Sequence, residues 1–268
     1  MKQPRARKRF GQNFLHDAAV VRRIVTAIDP RPGETLVEIG PGPGALTREI
    51  LPLAKRLTVV ELDRDLIPLL RDECAGLGEL AIHSADALQF DFCSLRRPPD
   101  GIRLFGNLPY NISTPLLFHL FGQLHCIRDM HFMLQRELVE RITAPPGSKT
   151  YGRLSVLAQL HCRTEMLFSV GPGAFTPAPR VESAVIRLLP HPRPPVEIPD
   201  RELFSRLVSR AFSQRRKTLR NTLRGMLDAE QISASGIDPG RRAEQISLEE
   251  FAGLTRVAAA GSRRPGEL

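Results

Sequence analysis

A glycine-rich turn that directly follows an apolar run is the feature that most restricts the fold of this chain. The run Thr35–Ile39 is followed by Gly-Pro-Gly-Pro-Gly at 40–44, and Ala45–Leu53 then has a helical pattern. A strand that turns through glycines into a helix is typical of the ligand-binding edge of a parallel α/β sheet, because glycines let a ligand approach the backbone closely. The turn therefore predicts an α/β fold with a ligand site after this strand.

Apolar runs and helical patterns continue to alternate as far as about residue 190. Further predicted strands are Leu57–Leu62, Leu80–His83, Ile102–Phe105 and Asp129–Leu134, with an edge pair, expected to be antiparallel, at Met166–Val170 and Ser183–Leu189. Predicted helices are Ala18–Ile28, with Asp17 as its N-cap, and Leu66–Cys74, Pro115–Phe121 and Tyr151–Cys162. This alternation favours a Rossmann-like, mostly parallel sheet with helices on both faces.

A proline-rich stretch ends the alternating region. Prolines at 190, 192, 194, 195 and 199 prevent both helix and regular strand, so we interpret residues 191–200 as a stiff linker. Residues 201–268 contain only helical patterns. We expect a catalytic domain over 1–190, with a basic arm at 1–15, and a small all-α domain over 201–268 whose tail is frayed.

The charge balance favours a polyanionic partner. The chain has 38 Lys and Arg against 29 Asp and Glu, a net charge of +9, although a basic surface kept for solubility would have the same composition. Residues 201–225 hold eight basic residues and one acid, whereas a solvated helix face is normally mixed in sign. We therefore predict nucleic-acid binding. The arm contributes Lys2, Arg5, Arg7, Lys8 and Arg9, and the C-terminal segment contributes Arg215, Arg216, Lys217 and Arg220.

Cysteine usage and hydropathy favour a cytoplasmic protein. The four cysteines, Cys74, Cys93, Cys126 and Cys162, form no C-x-x-C pair and have no histidine at zinc-finger spacing. We expect four reduced thiols and no metal site. No apolar run is long enough to span a membrane, so we expect no membrane partner. The basic N-terminal segment has no signal-peptide core, although such a segment can also open a transit peptide.

The prolines within the glycine turn decide which ligand it fits. Gly40, Gly42 and Ala45 also match the dinucleotide fingerprint G-x-G-x-x-A, but Pro41 and Pro43 have no N–H groups to offer a pyrophosphate. S-adenosylmethionine has no phosphate, so the missing donors matter less. We therefore predict S-adenosylmethionine as the cofactor. The residues of this turn that we assign to it are Glu38, Gly40, Gly42 and Gly44.

Two carboxylates at the ends of the next strands support this assignment. Glu61 follows the second strand of the α/β region, where a carboxylate can accept hydrogen bonds from both ribose hydroxyls. Asp86 follows the third and can accept from the exocyclic amine of the cofactor's adenine. Either one alone would be an ordinary strand-end charge. Asp63, close to Glu61, is expected to be a solvated bystander.

The next strand ends in Asn107-Leu108-Pro109-Tyr110, a turn suited to an adenine amine. This amine is a weak nucleophile, and accepting both of its hydrogens, at the Asn107 side chain and the Leu108 carbonyl, localises its lone pair. Pro109 holds the turn rigid, and Tyr110 offers a flat face for an extruded base. No strong general base is needed, because the amine proton becomes acidic after transfer. Phe175 is a candidate second wall of the base pocket, the alternative being a buried loop residue.

Together these residues resemble the ribosomal RNA adenine dimethylase family, and within it the branch that acts on small-subunit RNA. The resemblance extends from about Arg7 to Leu254. The motifs that carry it are Phe10–Leu15, Glu38–Gly44, Asn107–Thr114, Tyr151–Val156, Phe175–Ser183 and Phe212–Asn221.

The resemblance implies a class I methyltransferase that dimethylates the N6 atoms of two adjacent adenosines. We expect it to act as a monomer. The target would be a hairpin loop near the 3′ end of 16S ribosomal RNA in an immature 30S subunit. The resemblance also implies target-base stacking by Tyr110 and Phe175. The implied cofactor contacts are Asn13, Leu15, Gly40, Glu61, Asp86 and Asn107.

Two other functions stay open from the sequence. One is dimethylation of 23S ribosomal RNA, as in the resistance methylases, which are alike around the glycine turn and Asn107. The basic C-terminal segment and Tyr151–Val156 favour the small-subunit target. The other is a non-catalytic RNA-binding or assembly factor on the same fold, against which the intact Asn107–Tyr110 turn weighs. A small-molecule methyltransferase would not need the basic residues.

Overall fold

The computed structural model describes Arg7 and residues 11–262. The strands are β1 Phe14–Leu15, β2 Leu36–Ile39, β3 Arg56–Glu61, β4 Glu79–Ser84, β5 Ile102–Asn107, β6 Ile127–Gln135, β7 Cys162–Val170, β8 Phe175–Thr176 and β9 Ser183–Pro190. The α-helices are α1 Ala18–Ile28, α2 Thr47–Ala54, α3 Leu66–Glu73, α4 Ser113–Phe121, α5 Arg136–Thr143, α6 Arg153–His161, α7 Arg201–Ala211, α8 Leu219–Thr222, α9 Ala229–Ala234 and α10 Leu248–Ser262. Short 3₁₀ turns include Phe92–Leu95 and Leu124–Cys126.

Seven strands form one sheet in the order β4-β3-β2-β5-β6-β9-β7. Neighbours from β4 to β6 are parallel, and β9 pairs with β6 in the antiparallel sense. The mostly parallel α/β sheet predicted from the sequence is therefore confirmed. The strand order reverses beside β2, and ligands of such sheets bind in the crevice at this switch point, outside the carboxyl ends of the strands.

Local sequence signals explain how the first helix begins and which face it buries. The Asp17 carboxylate caps α1 by accepting from the N–H groups of Ala19 and Val20, as the sequence predicts. Val20, Val21, Ile24 and Ile28 recur at helical spacing and are buried. This face joins a core cluster that includes residues of β2 and β3 and of α2. The core thus holds the glycine turn between β2 and α2 in place.

The chain divides into two compact units. The first unit runs to Val139 and includes Glu165–Pro190, and the second comprises Glu140–Thr164 and the chain from His191 onward. The segment Glu140–Thr164 belongs with the helical unit, whereas the sequence placed it in the first domain. Tyr151 explains this, because its ring is buried in the core of the second unit and its hydroxyl donates to the Ile246 carbonyl (3.0 Å).

The prediction of four reduced thiols is wrong. Cys93 and Cys126 form a disulfide, with their Cα atoms 5.5 Å apart, and only Cys74 and Cys162 are free. Burial raises the pKa of the Cys74 thiol to about 11 and that of the Cys162 thiol to about 12. Among the described residues, no helix combines the length and the apolar character that crossing a membrane requires.

Candidate active site

A cavity of about 350 Å³ lies at the carboxyl ends of β2, β3, β4 and β5 in the first unit. It is lined by the segment before α1, by the glycine turn and by the residues that follow the other strands. The sequence-predicted site residues that line it are Asn13, Leu15, Glu38, Gly40, Gly42, Glu61, Asp86, Asn107, Leu108, Pro109 and Tyr110. The structure thus brings together most of the predicted site, but Gly44 and Phe175 lie outside the lining.

The glycine turn needs its glycines for two different reasons. Gly40, Gly42 and Gly44 all have positive φ (66°, 58° and 88°), a conformation that other residues adopt only with strain. A Cβ at Gly40 would meet no protein atom within 4 Å, so the backbone there is open to the cavity. A Cβ at Gly44 would lie 2.8 Å from the Leu70 side chain. Gly40 therefore leaves room for a ligand, and Gly44 leaves room for packing.

The carboxylates of Glu38 and Glu61 are both buried beside this turn. The Thr47 hydroxyl donates to Glu38 at 2.6 Å, and Glu61 accepts one backbone N–H on each oxygen, from Gly42 (3.1 Å) and Asp63 (2.7 Å). Burial raises the pKa of Glu38 to about 8, against the lowering effect of the Thr47 bond, and burial also raises the pKa of Glu61. The hydrogen bonds to Glu61 fix its carboxylate at the cavity wall.

Asp63 is not the solvated bystander that the sequence suggests, since it is 3% exposed. Its carboxylate accepts from Arg7 Nη1 (3.0 Å) and from Gln12 Nε2 (3.0 Å). Gln12 in turn accepts the backbone N–H of Arg7 (2.8 Å), and Arg7 also pairs with Asp65. Arg7, predicted to contact RNA, is therefore engaged in ion pairs beside the cavity.

Asp86 lies on the connection after β4, and in the sheet β3 and β2 separate β4 from β5, which leads to the acceptor turn. The N–H of Leu88 donates to Asp86 Oδ1 at 2.9 Å, which orients the carboxylate. The side chain is half-buried and lines the cavity together with Ala85 and Ala87. One carboxylate oxygen is therefore fixed by the loop itself, and the other is available to a ligand.

The acceptor turn is held by hydrogen bonds at several points. Asn107 Nδ2 donates to the Asn13 carbonyl (2.9 Å), so the amide orientation is set and Oδ1 remains as the acceptor. The N–H of Leu108 donates to the Met133 carbonyl (3.1 Å), and the Pro109 carbonyl accepts the N–H of Ile112 (3.2 Å). These bonds keep the turn rigid at the mouth of the cavity.

Tyr110 is half-buried, and its hydroxyl shares a hydrogen bond with Ser183 Oγ (2.8 Å). Burial raises the pKa of Tyr110, so the side chain stays a neutral phenol near neutral pH. Phe175 is 3% exposed and belongs to the core cluster of the first unit. It lies in β8, which pairs with β1 in a small antiparallel sheet. In this arrangement Tyr110 contacts the cavity and Phe175 does not.

Two residues that shape this region are not among the predicted site residues. Gln12 joins the N-terminal segment to Asp63, and its one sequence signal is its position inside the motif Phe10–Leu15. Gly106 precedes Asn107 in β5, and a Cβ there would lie 2.3 Å from the Ile39 carbonyl oxygen. A glycine inside a strand pattern indicates a close backbone approach, and that signal was available.

The predicted RNA-binding residues of the second unit are exposed. Arg215, Arg216 and Lys217 lie in the turn between α7 and α8, and Arg220 lies in α8. Arg215 approaches Glu244 at 3.5 Å and donates to the Lys149 carbonyl. Lys8 and Arg9, together with Lys2 and Arg5, lie outside the described residues.

Comparison with known proteins decides the family. The family described as ribosomal RNA adenine dimethylase matches residues 3–260. The chain belongs to the ribosomal RNA adenine dimethylase family. A protein of Pseudomonas putida named ribosomal RNA small subunit methyltransferase A is 55% identical over 252 residues, covering 94% of each chain. The family resemblance in the sequence is therefore confirmed.

Solved structures support the fold of this adenine dimethylase. A dimethyladenosine transferase from Plasmodium falciparum has a TM-score of 0.75 at 24% identity, covering 90% of this chain and 95% of that one. The 23S rRNA methyltransferase ErmE has a TM-score of 0.73 at 25% identity, covering 92% of this chain and 100% of that one. The predicted class I methyltransferase fold is confirmed.

Proposed function

We propose that this adenine dimethylase uses S-adenosylmethionine to dimethylate the N6 atoms of two adjacent adenosines in a hairpin loop near the 3′ end of 16S ribosomal RNA. The observation that carries the proposal is the fixed amide of Asn107. Its NH₂ group is held by the Asn13 carbonyl, which leaves a carbonyl oxygen as an acceptor at the rim of the cavity. An acceptor at that place suits an amine substrate.

The residues around the cavity fit S-adenosylmethionine. The volume of about 350 Å³ falls within the range of small-molecule sites. Glu61 would bind the ribose hydroxyls with lone pairs that its two backbone donors leave free, and Asp86 would accept from the adenine amine. Gly40 leaves open space against the backbone. Asn13, Leu15, Glu38 and Gly42 would complete the binding site, with Gly44 supporting the turn. When bound, the cofactor supplies a methyl group on a positively charged sulfur.

On the acceptor side, the chain orients the amine and leaves the proton to solvent. Asn107 Oδ1 and the Leu108 carbonyl would accept the two amine hydrogens, and the Tyr110 ring would stack on the base. From Asn107 to Ile112 the only titratable side chain is Tyr110, whose raised pKa keeps it protonated. Catalysis would then rest on proximity and orientation, without a general base. Stacking by Phe175 remains part of the proposal and requires it to leave its buried position.

The second unit and the N-terminal arm would hold the RNA. Arg215, Arg216, Lys217 and Arg220 are exposed and would contact phosphates. The arm residues Lys8 and Arg9 would do the same, and so would Arg7 once it leaves its ion pairs with Asp63 and Asp65. Basic residues at two separated places in the chain suit a folded particle better than a short hairpin. We therefore infer that the substrate is an immature 30S subunit. As part of the same proposal, the enzyme acts in the cytoplasm as a monomer.

The small-subunit target is favoured over the large-subunit target by sequence similarity. The relative named for the small ribosomal subunit shares 55% of its residues with this chain over almost the whole length, whereas ErmE, named for 23S RNA, shares 25%. The family-typical Tyr151 also has a structural role in the second unit. These observations support 16S RNA as the substrate.

Primer extension on ribosomal RNA from cells with and without the gene tests the substrate. Dimethylated adenines block reverse transcription, so we expect stops at two adjacent adenosines near the 3′ end of 16S RNA only when the gene is present. Stops in 23S RNA instead would promote the resistance-methylase function. No stop in either RNA would favour a non-catalytic assembly factor.

Substitutions in the acceptor turn test the mechanism. Asn107→Ala should lower the single-turnover rate by roughly 10²-fold or more at saturating cofactor and RNA, by analogy with the loss of one positioned hydrogen-bond partner. Tyr110→Ala should lose about 1–3 kcal/mol of stacking. The matched control is Tyr110→Phe, which keeps the ring and removes only the hydroxyl bonded to Ser183. Rates near wild type for both alanine variants would refute the acceptor site.

A further inference from the structure

We propose that Cys93 and Cys126 form a thiol–disulfide exchange site that small thiols reduce reversibly in the folded protein, with Cys93 as the reacting sulfur. Cys93 lies in the 3₁₀ turn Phe92–Leu95, on the connection between β4 and β5, and Cys126 ends the turn that precedes β6. The disulfide joins these two turns. Neither cysteine lines the cavity described above, so the proposal stands apart from methyl transfer.

Access to the two sulfurs is unequal. Cys93 is half-buried, whereas Cys126 is 2% exposed. An incoming thiolate must approach a disulfide sulfur directly, so Cys93 is the sulfur that it can reach. The ring of the exposed His125 places Nε2 3.3 Å from Cys93 Sγ. An imidazole N–H that donates at this distance stabilises a thiolate on Cys93 after reduction.

The two turns are held together without the sulfur–sulfur bond. Gln123 Oε1 accepts the N–H groups of Phe92 (2.7 Å) and Cys93 (3.3 Å), and Gln123 Nε2 donates to the Phe90 carbonyl (3.2 Å). The Gln123 backbone carbonyl also lies 3.1 Å from Cys126 Sγ, where it can accept the thiol hydrogen of the reduced form. Reduction therefore leaves both sulfurs within reach of each other, which makes the reaction reversible.

The two remaining cysteines lack these properties. Cys74 and Cys162 are buried, and burial raises the pKa of both thiols. A thiol with a raised pKa carries little thiolate, which is the reactive species. Among the described cysteines, only Cys93 combines access, a neighbouring imidazole and a partner sulfur.

The exchange balances with a small-molecule thiol such as glutathione. One thiolate attacks Cys93 Sγ, so that a mixed disulfide forms on Cys93 and the Cys126 thiolate leaves and takes a proton. A second thiolate then attacks the sulfur of the bound small molecule, which releases the Cys93 thiolate and one oxidised small-molecule disulfide. Two electrons pass to the protein, and two small thiols become one disulfide.

The test titrates the full chain in buffers of reduced and oxidised glutathione and traps free thiols with N-ethylmaleimide before mass spectrometry. We expect one reversible step that adds two alkyl groups, on Cys93 and Cys126, while circular dichroism stays unchanged. In Cys126→Ser, glutathione should remain as a mixed disulfide on Cys93. In Cys93→Ser, the native protein should form almost none on Cys126.

The imidazole has its own test on the reduced protein. His125→Asn should lower the rate of Cys93 alkylation by iodoacetamide by at least about threefold, and His125→Lys, which supplies an N–H donor with a positive charge, should restore part of it. Four free thiols at every glutathione ratio, or reduction only after unfolding, would overturn the proposal. So would tight binding of one Zn²⁺ per reduced chain, since Cys93, His125 and Cys126 also lie close enough to hold a metal ion.

Discussion

Replacing Glu38 by Gln should change how the stability of the first unit depends on pH. Burial raises the pKa of this carboxyl from 4.5 to about 8. Between these values the unfolded chain loses the proton while the folded chain keeps it, so folding is destabilised as pH rises. The stability that the protonated Glu38 carboxyl contributes to the folded state is fully present below pH 4.5 and is lost by about pH 8. Each pH unit corresponds to about 1.4 kcal/mol, or roughly 5 kcal/mol over the window.

Glu38→Gln keeps an acceptor for the Thr47 hydroxyl and cannot ionise. The free energy of unfolding of the wild type, minus that of the variant, should therefore fall steadily from pH 5 to pH 8. Urea unfolding followed by far-ultraviolet circular dichroism at several pH values measures this difference. The control is Glu49→Gln, which removes an exposed carboxyl from α2. Parallel profiles for the wild type and Glu38→Gln would refute the buried, protonated carboxyl.

Three further predictions follow from contacts in the structure. Gly106→Ala places a Cβ against the Ile39 carbonyl and should destabilise the protein by about 3 kcal/mol, measured by urea unfolding. Asp63→Asn weakens the side-chain pairing with Arg7 and should cost roughly 1–3 kcal/mol. It should also weaken cofactor binding in calorimetry, because this pairing helps to position the residue 63 backbone N–H that donates to Glu61. Changing residues 215–217 to Ala should lower the salt-dependence slope of RNA binding by up to about 0.7–0.9 per lost contact and leave cofactor affinity unchanged.

The sequence predicts the sheet well because each of its main strands has a local signal. Every predicted strand overlaps an observed strand, and α1 begins at its expected cap. The two-residue strands β1 and β8 escape prediction because such short segments have no periodicity to detect. Their pairing places Phe14 opposite Thr176, a residue far away in sequence. A pairing of this kind is set by the tertiary fold alone.

Local sequence signals likewise predict some features of the candidate site and its surroundings, whereas others arise only when the chain folds. Gly40, Glu61, Asp86 and Asn107 each lie at or just after the carboxyl end of a predicted strand, and parallel strands bring these ends to one edge of the sheet. The Cys93–Cys126 disulfide has a sequence separation of 33 residues, and cysteine connectivity does not follow from spacing. No local sequence signal distinguishes these two cysteines from the reduced pair, and only the fold brings their sulfurs together.

The burial of Asp63 cannot be predicted from its position after a strand. Its position two residues after Glu61 is that of an ordinary strand-end charge, and the side chains that pair with it are far away in sequence. Its partners, Arg7 and Gln12, come from the N-terminal segment, 56 and 51 residues away. A buried carboxylate is tolerated only when paired, so the return of that segment allows Asp63 to be buried. Asp63 in turn holds Glu61 through its N–H, and the N-terminal segment thereby acts on the predicted ribose-binding carboxylate through a residue that it does not adjoin in sequence.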